Sequence, residues 1–399
     1  MNVFVINSGS SSIKYQLIRL PEATVVCSGL VDRIGQEGSS IHHKVSTTGG
    51  VKSSKLSLPI VDHSAGLTEV SRLLTDSDIG VIKDPTEIEV VGHRVVHGGE
   101  SFSDTMVITP EVKETVKKLF SLAPLHNPPN FLGIEVGEQI FPSAKQVAVF
   151  DTAFYQTMPP VAYRMAIPNE FYSKHGIRAY GFHGTSHKYV SRIAIDHLQK
   201  EDSKIITIHL GNGCSICAVE NGRCIDTSMG LGPMNGLIMG TRVGDIDPSI
   251  IFHLTNQLGY SLDEVYTLLN KKSGMLGLTG FSDMRDIKME YGKGNKEAIL
   301  AYQMYTYRIK KYIGSYAAIL NGIDAVVFTA GVGENDALTR KLVVEEMEYL
   351  GLLFDEEKNE RGGQGIYEIN REDSRVKILV VPTNEELEIA RQCYALLEE

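Results

Sequence analysis

Two short segments half a chain apart follow one pattern, and together they restrict the fold more than any other feature. An apolar run at residues 3–6 ends on Asn7, then Gly9 and Ser11 follow at alternate positions before a second apolar run begins at Ile13. A run at residues 205–208 ends on His209, and Gly211, Gly213 and Ser215 follow in the same alternation. Asn7 and His209 lie 202 residues apart in a chain of 399. Each segment reads as strand, Gly/Ser-rich turn, strand. Small residues in such a turn let an anion approach closely, and its backbone N–H groups donate hydrogen bonds to it. One such segment alone is an ordinary hairpin. Two, matched at mid-chain spacing, imply a duplicated domain whose copies each open with a hairpin suited to phosphate oxygens.

The rest of the chain alternates short β-rich runs with longer helical patterns, the signature of α/β architecture. Strands are expected at residues 3–6, 13–20, 89–96, 146–150, 204–210, 215–219, 325–329 and 377–381. Helices are expected at 110–121, 130–140, 186–199, 248–257, 261–269, 296–321, 336–349 and 385–397, with 230–244 irregular. A net charge of −10 argues against a broad nucleic-acid or membrane-surface binder. An anionic small molecule would have to be met by a few cations gathered in one place. No apolar stretch approaches the roughly 20 residues that span a bilayer, and the N-terminal run lacks the basic flank of a signal peptide. Five cysteines, an odd count, point to a reducing cytoplasm rather than a disulfide framework.

The usual nucleotide signatures are absent: no Gly-x4-Gly-Lys-Ser/Thr, no Gly-x-Gly-x-x-Gly between strand and helix, no protein-kinase set. Instead, both hairpins and a later glycine turn, Phe328-Thr329-Ala330-Gly331-Val332-Gly333-Glu334-Asn335, define a different plan. It resembles the superfamily of actin, sugar kinases and heat-shock chaperones. The resemblance implies two similar ribonuclease H-like (actin-type ATPase) α/β domains with an active-site cleft between them. Within it the chain resembles the acetate kinase family over its whole length. The motifs run in order from Asn7-Ser8-Gly9-Ser10-Ser11-Ser12 and Gly92-His93-Arg94-Val95-Val96 to Leu125-His126-Asn127-Pro128 and Phe150-Asp151-Thr152. They continue through Gly181-Phe182-His183-Gly184-Thr185-Ser186-His187, His209-Leu210-Gly211-Asn212-Gly213, Gly240-Thr241-Arg242, Ser282-Asp283-Met284-Arg285 and Pro382-Thr383-Asn384-Glu385.

That chemistry suits these residue types. A carboxylate substrate is ionised at pH 7 and needs no general base. It needs positioning, and cations to offset anion–anion repulsion during an in-line transfer. The guanidinium fork binds carboxylate and phosphoryl oxygens bidentately. Strand alternation puts Arg94 on one face with Val96, a cation beside an apolar surface. By resemblance Arg94 and Arg242 are the two arginines; the plainer reading of either is a surface salt bridge. His126 and His183 match histidines that contact the transferring phosphoryl group. The i, i+4 pair His183 and His187 has metal-ligand spacing, but Thr185-Ser186 reads as a helix N-cap that leaves His183 in the preceding loop. The resemblance assigns Asn7 and Glu385 to Mg²⁺ (or Mn²⁺); without it, Glu385 is a first-turn charge complementing the helix dipole. It assigns Asp151 to the catalytic centre, either positioning Arg94 or holding a metal-bound water.

ATP or ADP is then expected against Ser10, Ser12, Lys14, His209, Leu210, Gly211, Asn212 and Gly213. Its adenosine end falls to Asp283, Met284, Arg285, Gly331, Val332, Gly333, Glu334 and Asn335. Val96, Leu125, Phe182 and Pro233 match the small apolar pocket for the acyl tail. Gly232 and Asn235 depart from the family, which often has Thr and an acid there, and this bears on acyl preference. Cys214 and Cys217, three apart in a strand, face opposite sides and make no redox pair. The expectation is a cytoplasmic acetate kinase, with acetate, acetyl phosphate and ATP/ADP as its small-molecule partners, no nucleic acid or membrane partner, and a homodimeric state implied by the family. Rival readings are a propionate or butyrate kinase, a non-enzymatic ATP switch, and a metal hydrolase using His183 and His187. Domains are expected at residues 1–150 with 386–399, and at 151–385.

Overall fold

A computed structural model describes residues 1–398. The chain divides into two compact units: Met1–Phe154 together with the segment from Asn384 onward, and Tyr155–Thr383. Asp151 and Glu385, which the sequence reading put in the second domain, therefore belong to the first unit.

The first unit contains β1 (Asn2–Ser8), β2 (Ser12–Arg19), β3 (Thr24–Asp32), β4 (Ser40–Thr47), β5 (Gly50–Ser57), α1 (His63–Leu74), β6 (Val90–Val95), β7 (Met106–Val107), α2 (Pro110–Lys118), α3 (Asn127–Ile140) and β8 (Lys145–Phe150). Their sheet has the order β5-β4-β3-β2-β1-β6-β8-β7. β1 is buried from Val3 to Ile6, as a strand covered on both faces must be. β2 alternates, with Ile13, Tyr15 and Leu17 buried and Lys14 exposed.

The second unit contains α4 (Pro160–Tyr163), α5 (Asn169–His175), α6 (Gly184–Leu198), β9 (Lys204–Leu210), β10 (Cys214–Glu220), β11 (Arg223–Thr227), α7 (Ser249–Asn256), α8 (Leu262–Lys271), α9 (Gly274–Thr279), α10 (Met284–Gly292), α11 (Lys296–Ile319), β12 (Ala325–Thr329), α12 (Ala330–Asn335), α13 (Ala337–Val344), α14 (Glu356–Arg361), β13 (Tyr367–Glu368) and β14 (Lys377–Val380). Its sheet order is β11-β10-β9-β12-β14-β13. The duplication read from the sequence is visible in this order. The stretch β3-β2-β1-β6-β8-β7 of the first sheet has the same succession of partners: antiparallel, antiparallel, parallel, parallel, antiparallel. The second sheet repeats it strand for strand.

The chain then returns to the first unit as α15 (Glu385–Glu398), which packs on β1 and β6. Gly92 permits the fit: a Cβ there would lie 2.9 Å from Cys393 Sγ and 3.0 Å from an Ile389 methyl. This packing places the start of α15 over the strand that carries Arg94.

Several elements differ from the sequence reading. β3 to β5 were not expected, because their exposed sides carry Ser, Thr and Lys; β5 is an edge strand with Lys52 and Lys55 exposed, a pattern that discourages pairing with other chains. The helix expected over 336–349 stops at Val344, where Glu346 takes a left-handed φ of 59° and a short 3-10 turn follows. The turn expected after β12 is the short helix α12, entered through Ala330 at φ 66°. α6 begins at Gly184 with His183 as N-cap, so Thr185 and Ser186 lie within its first turn instead of capping it. His183 still sits ahead of the helix, at φ 61°.

Candidate active site

In the first unit the β1–β2 turn is tied by donors from its surroundings. Gly9 N–H donates to Ser12 O at 2.8 Å, and Ile34 N–H to Ser11 O at 2.9 Å. His63 Nε2, at the start of α1, donates to the Gly9 carbonyl at 2.7 Å. Asn130 Nδ2, on α3, donates to the Ser8 carbonyl at 2.7 Å. With these carbonyls occupied, the turn keeps N–H groups and the hydroxyls of exposed Ser10 and half-buried Ser12 for an anion. Asn130 Oδ1 also accepts from Val96 N–H at 3.0 Å, so one side chain fixes both the turn and the end of β6.

Arg94, near that end, donates through Nη2 to Asp151 Oδ2 at 2.7 Å. Asp151 is fully buried. Burial alone would push the Arg94 guanidinium down, but Asp151, Glu385 and Glu386 outweigh it and hold the group above its ordinary value. Glu385 is pushed up to about 7: burial raises it, Arg94 opposes, and Asp151 and Glu386 raise it further. Lys14, paired across the hairpin with Asn7, also bears electrostatically on Glu385. Val96 is buried, Leu125 is 55% exposed, and His126 is the half-buried N-cap residue of α3.

In the second unit the β9–β10 turn closes through Gly211 N–H to Gly213 O at 3.0 Å. Gly240 N–H donates to Asn212 O at 3.0 Å, and a Cβ on Gly240 would overlap the Asn212 side chain at 2.1 Å. Gly213 sits where His183 and Arg242 converge: a Cβ there would lie 3.2 Å from His183 Nε2 and 3.6 Å from Arg242 Nη1. Arg242 donates to the Pro233 carbonyl at 3.0 Å, and burial pushes its guanidinium down. Among the described residues it has no carboxylate within ion-pair distance, so the surface salt bridge does not describe it. A half-buried arginine without a carboxylate is costly unless an anion is meant to complete it.

A cavity of about 970 Å³ opens beside this turn. Gly211, Asn212, Asp283, Met284, Arg285, Gly331, Val332 and Asn335 line it, as the sequence reading had them. Gly240, Met275, Ser282, Lys288, Met289, Tyr305 and Asp336 complete the wall and were not foreseen. Three methionines give it a soft apolar slot, and Lys288 Nζ donates to Asp336 Oδ1 at 2.8 Å at its rim. Leu210 is core, and Gly333 and Glu334 are held inside the fold. Arg340 donates to the Gly333 carbonyl at 2.9 Å, and Glu334 Oε1 accepts from Ala330 N–H at 2.9 Å and Thr383 N–H at 3.0 Å. His209 stacks on His183 at 4.3 Å, with its Nδ1 2.8 Å from Ser186 Oγ. Phe182 is buried and Pro233 half-buried.

The His183–His187 spacing does not make a metal pair. Both rings turn to one oxygen, Ser215 Oγ, and no set of three metal-ligating side chains occurs among the described residues. Cys214 faces Tyr305 while Cys217 faces Cys224, on opposite sides of β10. The i, i+4 histidines were the one signal that could have exposed Ser215.

A glycine hairpin, an anion-seeking arginine and a nucleotide-sized cavity on this repeated sheet define a nucleotide-dependent phosphotransferase of the actin-type fold. Comparison with known proteins gives the particular kind. The model of the Acetokinase family matches residues 2–391. The chain is 58% identical over 398 residues to an acetate kinase of Flavobacterium johnsoniae, covering 100% of each. It superposes on a crystal structure of Porphyromonas gingivalis acetate kinase with a TM-score of 0.93 at 45% identity, covering 99% of both chains. A propionate kinase from Francisella tularensis subsp. tularensis gives 0.91 at 42% identity, covering 98% of both. The chain belongs to the acetokinase family. It is a kinase whose phosphoryl acceptor is a carboxylate, and full-length matches to acetate kinases carry that activity to it.

Proposed function

We propose that the chain phosphorylates acetate by direct in-line transfer from ATP, giving acetyl phosphate and ADP reversibly. The observation that carries this reading is Arg242, a half-buried guanidinium that lacks a carboxylate and meets His183 at the Gly213 turn. An anion at that point completes its coordination, and the adjoining cavity holds the nucleotide that supplies it. Arg94, anchored by Asp151, offers a second guanidinium for acetate or the equatorial oxygens, and Val96 lies beside it for the methyl group. His126 and His183 donate to those oxygens as charge spreads over them. Arg94 belongs to the first unit and Arg242 to the second.

The first unit also fits a divalent cation. Glu385, Asp151 and Glu386 bear on one another around a single guanidinium; burial and those carboxylates push Glu385 up to about 7, so a cation bound there would displace its proton. Glu385 and Asn7 would hold Mg²⁺ or Mn²⁺, an oxygen donor set of the kind such ions share with nucleotide phosphates. Bound there, the ion supplies neutralisation of phosphate charge. The five free, buried cysteines support a reducing cytoplasm, and no described helix is long and apolar enough to cross a membrane. A homodimer is supported by α7, which has no buried residue and exposes Phe252 at 64%, with Leu258 and Leu262 following at 59% and 70%.

The test is Arg242→Ala. Its kcat is expected to fall about 100-fold or more with folding intact, the scale for one transition-state donor. Near-normal turnover removes Arg242 from the reaction.

A further inference from the structure

Three buried side chains line up behind His183. Its Nδ1 lies 2.8 Å from Ser215 Oγ. The same oxygen is 2.8 Å from His187 Nε2. His187 Nδ1 is in turn 2.7 Å from Thr207 Oγ1. His187, Ser215 and Thr207 are each 0% exposed.

The direction of this chain follows from proton counting. Among the described residues, His187 Nδ1 is the one partner of the Thr207 hydroxyl. A buried O–H without an acceptor is costly, so Thr207 donates and His187 Nδ1 accepts. Neutral His187 then carries its proton on Nε2 and donates it to Ser215 Oγ. Ser215 has one proton, and its remaining neighbour is His183 Nδ1, so it donates there. His183 is left neutral with its proton on Nε2. A doubly protonated His183 would strand the Ser215 proton, and the reverse polarity would strand that of Thr207.

The outcome matters because of where Nε2 points. It lies against the Gly213 turn, beside Arg242. Phosphoryl oxygens only accept hydrogen bonds, so this tautomer donates to them, whereas the other would aim a lone pair at an anion. The left-handed φ of 61° at His183 is a backbone state that persists only where its surroundings hold it, and Ser215 is one of those holds.

We propose that Ser215, His187 and Thr207 are positioning residues, a buried relay that holds His183 as the Nε2–H tautomer aimed at the transferring phosphoryl group. The proposal rests on the reading of His183 as a phosphoryl contact. It adds residues that donate to no substrate and act through that ring.

The experiment uses full-length protein labelled with ¹⁵N-histidine, at neutral pH, with resonances assigned by the His183→Gln and His187→Gln spectra. Both rings are expected to carry their proton on Nε2 alone; a proton on Nδ1 of either overturns the relay. Steady-state turnover supplies the second readout. Ser215→Ala should lower kcat about tenfold to 100-fold, the range typical of an outer partner to a reacting group, with KM for ATP and acetate nearly unchanged. Ser215→Thr, which keeps the oxygen, should recover most of that loss. Wild-type kcat in Ser215→Ala, or a loss that Ser215→Thr does not recover, overturns the positioning role. His183→Gln separates the underlying reading: full turnover there removes His183 from the reaction, whatever its tautomer.

Discussion

Arg94 is held from one side. Its Nη2 donates to Asp151, while its buried Nε has no partner among the described residues. Asp151 holds that guanidinium in place, which supports the first of the two roles that the resemblance left open for it. Deleting one member of such a buried pair costs about 3–5 kcal/mol, because the other is left charged and uncompensated. Arg94→Met should therefore unfold at a markedly lower temperature and lose turnover. Arg94→Met with Asp151→Asn should regain much of the stability and none of the turnover. Thermal denaturation and kcat measured together check this: a double variant that stays as unstable as the single one contradicts the anchoring role. Arg242 has the opposite environment. It was legible in the sequence as an arginine among glycines, but its lack of a carboxylate could be seen only once the chain was folded.

At the scale of elements, the β1–β2 turn is shaped by side chains far away in sequence. His63 and Asn130 reach it from α1 and α3, and neither was a sequence-derived site residue. No periodicity or motif announces a donor 54 residues from its acceptor. The strand–turn–strand pattern itself was readable because glycine and serine at fixed offsets have a local cause. The same holds for the apolar runs of β1, β9 and β12. β3 to β5 were not readable because their exposed sides carry Ser, Thr and Lys, and such strands draw their pairing from their neighbours more than from their own pattern. His63→Ala should loosen the turn and raise the KM for ATP several-fold while leaving the melting temperature within a few degrees. His63→Gln, which can still donate, should fall between the variant and the wild type. An unchanged KM in His63→Ala would show that the Gly9 carbonyl needs no such donor.

For the whole molecule, duplication explains why charge is distributed as it is. The chain carries a net −10, yet within each unit one guanidinium and one turn of backbone N–H groups offer a local place for an anion. The domain boundaries read from sequence differ by a few residues, enough to move Asp151 and Glu385 to the unit that holds Arg94. Arg94 and its carboxylates thus fall in the first unit, and Arg242, His183 and the cavity in the second. The exposed apolar face of α7 belongs to this scale too. Sedimentation should give twice the chain mass, and Phe252→Glu with Leu262→Glu should halve it; a wild-type monomer would contradict the homodimer.

Acetate-dependent product formation tests the central claim most directly. Purified protein is mixed with Mg²⁺ and ATP, with and without acetate, and acetyl phosphate is trapped with hydroxylamine while ADP is followed in parallel. One acetyl phosphate is expected per ADP, with little ADP formed when acetate is omitted. The kcat/KM should favour acetate over propionate by no more than the roughly 1–3 kcal/mol that one methylene provides, and over butyrate by a larger margin. ADP released at the same rate with or without acetate, or ATP bound without turnover, would contradict a carboxylate kinase and point to a nucleotide-driven switch.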